Sequence, residues 1–108
     1  MVEQLTGLDS VFRALGDPSR LAMIERLSSG PATVGELAEP LDMTLAGASK
    51  HVGVLEKAGL LKRTRRGRER VCELQPASLF AARDWVQRYS IFWNERLDAL
   101  EVALENDR

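Results

Sequence analysis

The chain is poor in the residues that bind metals or form disulfides. Among its 108 residues, Cys72 is the single cysteine and His51 is the single histidine. One cysteine cannot form an intrachain disulfide, and two such ligands are too few for a zinc site built from Cys and His. We therefore expect no metal and no other cofactor, although the residue count leaves an oxygen-rich cation site open.

Long apolar runs are absent as well. A membrane-spanning helix needs about 20 consecutive, mostly apolar residues, and no stretch approaches that length. The first residues, MVEQLTGLDSVFRAL, have an acidic residue where a secretion signal has a basic one, and they lack a continuous apolar segment. These absences predict a protein without a membrane partner that stays in the cytoplasm.

The length and composition fit one ordered domain over residues 1–108. Hydrophobic residues make up 44% of the chain and charged residues 29%, which is typical of a folded soluble domain. No paired carboxylates, nucleophile–base set or glycine-rich phosphate loop stands out. We therefore predict that the protein is not an enzyme.

Positive charge is concentrated in one segment, KRTRRGRER, at residues 62–70. The whole chain has a net charge of −1, but residues 50–70 contain eight basic and two acidic side chains. This region therefore carries +6 and the rest of the chain −7. A local excess of this kind favours a surface that binds a polyanion, whereas the alternative is an ordinary solvated loop.

Apolar spacing and capping residues predict four helices in the first half. The first covers residues 2–15, and the second begins after Asp17 with Pro18 at its first position. Thr33 is expected to cap a short third helix, with Glu36 at the capping-box spacing, and Pro40 to end it. Thr44 is expected to cap a fourth helix that runs to about residue 58, before Gly59.

The second half changes from helical to strand-like spacing and back. Residues 60–64 and 69–74 are predicted to be two strands, and residues 65–68 the turn between them. A last helix begins at Pro76 and continues to about residue 105. The fold class is therefore mainly α with a small β-hairpin, in the order α-α-α-α-β-β-α. The third and fourth helices, joined by Leu41-Asp42-Met43, have the form of a helix-turn-helix, and a β-hairpin directly after that motif is a wing, so the predicted fold is a winged helix-turn-helix.

The fourth helix has two different sides on a helical wheel. Leu45, Ala48, Val52 and Leu55 are expected to face the core, and small residues alternate with lysines on the opposite side. Gly47 and Gly53 each cost this helix roughly 1 kcal/mol relative to alanine. DNA that approaches the backbone closely would explain these glycines, but a loosened surface helix would explain them equally well.

Three motifs together resemble the ArsR/SmtB family of winged-helix transcriptional regulators. They are LGDPSRLAMIERL at residues 15–27, SKHVGVLEKAGLL at residues 49–61 and RRGRERVCEL at residues 65–74. The resemblance extends over residues 8–104. It implies a homodimer that binds palindromic operator DNA, usually as a repressor.

The resemblance also implies which residues contact DNA. In this family, the helix that matches the predicted fourth helix enters the major groove. The residues that would contact DNA from it are Thr44, Leu45, Ala46, Gly47, Ser49, Lys50 and His51. The wing meets the DNA backbone or the minor groove and offers Arg63, Arg65, Arg66, Arg68 and Arg70.

The chain departs from the metal-sensing members of that family. Thr33 and Gly35 stand where some members have a Cys-x-Cys pair, and no histidine follows His51 on the last helix. Metal sensing is therefore not expected, and any small-molecule inducer is unknown. Cys72 is interpreted as a small apolar residue of a strand.

The first and last helices carry more apolar surface than a small domain can cover, which predicts a homodimer. The expected interface residues are Leu5, Leu8, Phe12, Trp85, Tyr89, Phe92, Trp93, Leu97 and Leu100. The alternative places these aromatic residues in one intramolecular core. An alternative function, a winged-helix module that docks another protein through its last helix, also stays open.

Overall fold

A computed structural model describes the backbone of residues 2–107 and the side chains of residues 7–107. The body is elongated and measures 64 × 35 × 21 Å. Its elements follow the order α1 (Val2–Leu15), α2 (Pro18–Leu27), β1 (Ala32–Thr33), α3 (Val34–Ala38), a 3₁₀ turn (Glu39–Leu41), α4 (Leu45–Lys57), β2 (Leu61–Arg66), β3 (Glu69–Leu74) and α5 (Pro76–Asn106). Within residues 2–107, no helix combines the length and apolar character that a membrane crossing needs.

Three helices begin at the predicted caps. Asp17 Oδ2 accepts a backbone N–H of the first turn of α2 at 3.0 Å. Thr33 and Glu36 form the predicted capping box of α3, in which each side chain accepts the backbone N–H of the other residue. Thr44 Oγ1 accepts a backbone N–H of α4 at 3.0 Å. These bonds satisfy donors that the start of a helix leaves unpaired.

The end of α4 determines where the wing begins. The N–H of Gly59 donates to Glu56 O and the N–H of Leu60 donates to Leu55 O, both at 3.0 Å. This pair of bonds is a Schellman motif, and Gly59 has the positive φ of 77° that the motif needs. A Cβ at residue 59 would lie 2.9 Å from Ser78 Oγ, so α5 also approaches this turn closely.

The sheet has three antiparallel strands in the order β1-β3-β2. The sequence predicts only two of them, because β1 has two residues and exists through its pairing with β3, where Ala32 faces Cys72. The second hairpin strand has the predicted bounds, Glu69–Leu74, whereas the first begins at Leu61 and continues to Arg66, two residues beyond its predicted end. The turn is therefore the two residues Gly67 and Arg68, with Gly67 at φ 62°.

The core lies between α1, α2, α3, α4 and the sheet. Its members share an exposed fraction of at most 7%: Val11, Ala14, Met23, Leu27, Ala32, Val34, Leu37, Ala38, Ala48, Val52, Leu55, Leu60, Leu61, Cys72 and Ala82. The predicted core side of α4 is confirmed at Ala48, Val52 and Leu55, which are fully buried. It is wrong at Leu45, which is 63% exposed because the first turn of α4 projects beyond the core.

The last helix, α5, is long and mostly exposed. Its 31 residues correspond to a length of about 46 Å. Only Ala82 is buried, while Trp85 is half-buried and packs edge-on against Phe12 of α1, with 5.5 Å between ring centroids. Beyond Trp85, most apolar side chains of α5 face solvent in the single chain.

Candidate nucleic-acid interface

The third and fourth helices are held in a helix-turn-helix. The N–H of Met43 donates to Ala38 O at 3.4 Å across the turn. Asp42 has a left-handed φ of 50°, a conformation that Asp tolerates better than most residues. Pro40 does not end α3 as predicted, because α3 ends at Ala38 and Pro40 lies inside the following 3₁₀ turn. This connection directs the start of α4 away from the core.

The side of α4 that faces away from the core carries residues of three kinds. Leu45 and Ala46 are apolar and exposed at the first turn, and Lys50 and Lys57 are exposed further along. Ser49 is partly exposed on the flank. A surface with small side chains, a hydroxyl and well-spaced lysines can approach base edges closely and also neutralise phosphate.

A groove of about 720 Å³ separates the first turns of α3 and α4 from the start of β3. The helical side is lined by Thr33, Val34, Gly35, Leu45, Ala46 and Ser49. The wing side is lined by Arg68, Glu69 and Arg70. Five of the twelve predicted contact residues therefore meet around one open concavity, and the others lie outside its lining: the five are Leu45, Ala46, Ser49, Arg68 and Arg70.

The wing presents a dense positive surface. The predicted contact residues Arg65, Arg66, Arg68 and Arg70 are all exposed. Arg65 and Arg70 face each other across the two strands, and like charges in directly opposite positions destabilise a sheet. Arg65 Nε donates to Gly67 O at 3.3 Å, so the turn itself orients one of these side chains. An anion bound here would relieve the repulsion.

Arg63 differs from the other wing arginines because its side chain points toward α4 and is only 17% exposed. Its Nη2 donates to Glu56 Oε1 at 3.0 Å, and its Nη1 donates to Ser49 Oγ at 3.1 Å. The backbone N–H of Arg63 also donates to Glu56 Oε2 at 3.4 Å. The structure therefore places this predicted DNA contact between β2 and α4.

His51 faces the start of α2. Its Nδ1 lies 3.2 Å from Arg20 Nη1 and 3.9 Å from Asp17 Oδ2, and its side chain is 27% exposed. The backbone N–H of Arg20 lowers the pKa of Asp17 by donating to its carboxylate. Arg20 also donates through Nε to Ala14 O at 2.6 Å, which satisfies a carbonyl at the end of α1. His51 thus joins α4 to the α1–α2 corner.

Sequence reasoning missed the two side chains that hold predicted contact residues in place, Arg20 and Glu56. Arg20 is one of many charged residues in a helical segment, and nothing in the local pattern identifies its role. Glu56 does have a signal, because it is one of only two acidic residues in the basic region 50–70. A lone carboxylate among cations is often paired with one of them.

The predicted dimer surface is apolar and largely exposed. Tyr89, Phe92, Trp93, Leu97 and Leu100 are between 42% and 59% exposed, and Phe12 of α1 is 38% exposed. Leu8 differs because it is partly buried and packs against the core, and Leu5 lies outside the residues whose side chains are described. Trp85, which packs against Phe12, also contacts Tyr89, with 4.9 Å between the Trp85 and Tyr89 ring centroids.

The described part of the chain shows neither a metal-binding cluster nor a reactive thiol. Among the side chains of residues 7–107, no group of three or more His, Cys, Asp or Glu is arranged to hold a metal ion. Cys72 is fully buried in β3, and this burial raises the pKa of its thiol. A buried thiol with a raised pKa is a weak nucleophile.

A helix-turn-helix followed by a β-hairpin with basic residues defines a winged helix-turn-helix protein. The helix-turn-helix domain family matches residues 15–64. The HTH-type transcriptional regulator Rv2034 of Mycobacterium tuberculosis is 35% identical over 99 residues, which are 92% of this chain and 90% of that protein. The chain belongs to the ArsR family of transcriptional regulators.

Two further relatives support this assignment. The crystal structure of the ArsR family transcriptional regulator RHA00566 superposes with a TM-score of 0.74 at 40% identity, covering 87% of this chain and 94% of that chain. The transcriptional repressor SdpR of Bacillus subtilis is 26% identical over 82 residues, which are 76% of this chain and 91% of that protein. These relatives support transcriptional regulation and not the alternative of a protein-docking module.

Proposed function

We propose that this chain binds double-stranded operator DNA as a homodimer in the cytoplasm and represses transcription. The observation that carries this proposal is the groove around which the first turn of α4 meets Arg68 and Arg70 of the wing. One side of that groove offers small and hydroxyl side chains, and the other offers positive charge. Sequence-specific DNA binding requires both kinds of contact.

The two elements fit different parts of a DNA duplex. With its side chains, an α-helix is about 10–12 Å across, and the major groove of B-DNA is about 12 Å wide. We assign α4 to the major groove, with Thr44, Leu45, Ala46, Gly47, Ser49, Lys50 and His51 near the bases or the adjacent backbone. We assign Arg65, Arg66, Arg68 and Arg70 to phosphates or to the adjacent minor groove.

The exposed apolar surface of α5 supports the homodimer. One chain offers a single α4 and a single wing, too few contacts for the affinity of about 10⁻⁸–10⁻¹¹ M that specific regulators reach. A symmetric pair that buries Phe12, Trp85, Tyr89, Phe92, Trp93, Leu97 and Leu100 would present two copies of α4 to one palindrome. The name of SdpR, a transcriptional repressor, favours repression over activation.

Selection of genomic DNA tests the proposal directly. Purified protein is incubated with sheared DNA from its own genome, and the retained fragments are sequenced. We expect enrichment of an inverted repeat whose half-sites lie about 34–36 Å apart, which is one helical turn of DNA. Retained fragments that match the input in sequence, at every salt concentration tried, would contradict the proposal.

A further inference from the structure

The arginines of the basic segment fall into two groups. Arg65, Arg66, Arg68 and Arg70 are exposed, whereas only 17% of the Arg63 side chain is accessible. The Arg63 guanidinium lies against α4, where Glu56 and Ser49 accept its hydrogen bonds at 3.0 and 3.1 Å. Because so little of its side chain is accessible, Arg63 is less available to a phosphate than the four exposed arginines are.

The contact with Arg63 determines the hydrogen-bond direction of Ser49. A hydroxyl can donate or accept, but a guanidinium can only donate. Ser49 Oγ therefore accepts from Arg63 Nη1. Serine on a helix often donates its proton to the carbonyl four residues earlier, but among the hydrogen bonds of residues 7–107 none has the Ser49 hydroxyl as donor. Its proton remains available to a group outside the chain.

Ser49 is placed where an external acceptor can reach it. It lines the groove between α4 and the wing, beside Leu45 and Ala46 and across from Arg68 and Arg70. The Glu56 carboxylate accepts one hydrogen bond from Nη2 of the Arg63 guanidinium and another from the backbone N–H of Arg63. The rigid fork of the guanidinium reaches Ser49 and Glu56 at once, which the point charge of a lysine cannot reproduce.

We infer that Arg63 is a positioning residue that makes Ser49 a hydrogen-bond donor to a base edge in the major groove. This inference rests on the proposed binding of operator DNA. The acceptors in that groove are purine N7, guanine O6 and thymine O4, whereas cytosine presents the donor N4 amine. The base that faces Ser49 is therefore guanine, adenine or thymine, and cytosine is disfavoured there.

A phosphate contact and a positioning residue affect DNA binding in different ways. Each phosphate contact that is lost lowers the salt slope of log K by about 0.9 and weakens binding to all sequences. Loss of a positioning residue leaves the salt slope unchanged and relaxes the preference at one base pair. Arg63 and the exposed Arg66 should therefore behave differently, although they are three residues apart on one strand.

The experiment measures base preference and salt slope for the wild type and for four variants, with every half-site position randomised in turn. Ser49→Ala and Arg63→Ala should relax preference at the same base pair, each by about tenfold. Arg63→Lys keeps the charge but should not restore the preference. Arg66→Ala is the control, and it should lower the salt slope by about 1 with every base preference intact.

Two results would overturn the inference while the proposed function stands. One is an Arg63→Ala variant that binds with a reduced salt slope and unchanged base preferences, which would make Arg63 a phosphate contact. The other is a Ser49→Ala variant with wild-type base preferences. This second measurement still tests the inference if Arg63→Ala does not fold. A wild-type protein without any sequence preference would instead overturn the proposed function and the inference with it.

Discussion

Helices α4 and α5 expose opposite kinds of surface. Three side chains of the 13-residue α4 are fully buried, and its exposed side carries Lys50 and Lys57. The 31-residue α5 buries only Ala82 and exposes apolar side chains along most of its length. The two exposed surfaces therefore suit different partners. The surface of α4 suits a polyanion, and the surface of α5 suits a second apolar surface.

The difference matters because the two kinds of contact respond to different variables. Binding to phosphate releases counterions and weakens as salt increases, whereas burial of apolar surface depends on the area removed from water and is not weakened in this way. A change on α5 should therefore alter the oligomeric state, and a change on the wing or α4 should alter salt dependence or base preference.

The largest effect is expected from a charge in the apolar surface of α5. Leu97 is 59% exposed in the single chain, so Leu97→Glu should leave the fold intact and separate the dimer. Specific binding would then fall toward non-specific binding, a loss of roughly 10³-fold or more. Sedimentation measures the dimer, and titration of labelled operator measures the affinity.

The matched control for Leu97→Glu makes the same kind of change elsewhere on α5. Ile91 is 69% exposed and lies about 120° around the helix from Leu97, given 3.6 residues per turn. Ile91→Glu should leave both the dimer and the affinity close to wild type. A Leu97→Glu protein that remains dimeric and binds its operator normally would contradict the predicted interface.

The wing should give the next largest effect. Replacing Arg65, Arg66 and Arg68 with alanine should lower the salt slope by up to about 3 and weaken binding to every sequence. The corresponding triple lysine variant keeps the charge, so its salt slope should stay near that of the wild type. An alanine variant with unchanged affinity and slope would show that the basic segment is only a solvated loop.

A smaller and more local effect is expected at Lys50, which is exposed on the outer side of α4. Lysine can donate to guanine O6 and N7, so Lys50→Ala should relax preference at one base pair by about 1–3 kcal/mol. Lys57→Ala, at the other end of the helix, is the control and should lose only non-specific affinity. Site selection that returns identical preferences for wild type and Lys50→Ala would refute a base contact.

A substitution at Gly53 distinguishes the two explanations for the glycines inside α4, which are close approach of DNA to the backbone and a loosened surface helix. A Cβ at this position would lie no closer than 3.9 Å to Arg63 Nη2, so Gly53→Ala fits the free protein. The variant should gain about 1 kcal/mol of stability in urea unfolding and bind DNA more weakly if the duplex approaches this backbone. Gly7→Ala in α1, where a Cβ meets nothing within 4 Å, should gain stability without any change in DNA binding.

Metal ions should have the smallest effect. Both family cysteine positions are occupied by other residues, Thr33 and Gly35, and no histidine follows His51. Zinc, arsenite and lead at physiological levels should therefore leave the operator complex intact in a fluorescence anisotropy assay. Stoichiometric zinc in native mass spectra, with chelation changing the DNA affinity, would overturn this prediction.

Local features of the fold were accessible from the sequence because local hydrogen bonds create them. The caps at Asp17, Thr33 and Thr44 each join residues three positions apart, so short patterns predict them. The extent of α5 follows in the same way from its apolar spacing. By contrast, β1 depends on pairing with residues about 40 positions later in the chain, and two residues carry no periodicity of their own.

The candidate site was less accessible because its details depend on contacts between elements. Arg63 belongs to the same basic segment as Arg65 and Arg66, and only the packing of β2 on α4 brings it to Glu56. Leu45 has the wheel position of a core residue, but the first turn of α4 has no core beside it. Base contacts and the dimer interface involve other molecules, so they remain predictions.

Sedimentation of the wild-type protein, followed by its titration with full and half operators, tests most directly whether two copies joined through α5 read one site. We predict a dimer at micromolar concentration, two chains per palindrome, and much tighter binding to the palindrome than to a single half-site. A monomer that binds an isolated half-site as tightly as the full palindrome would contradict this arrangement.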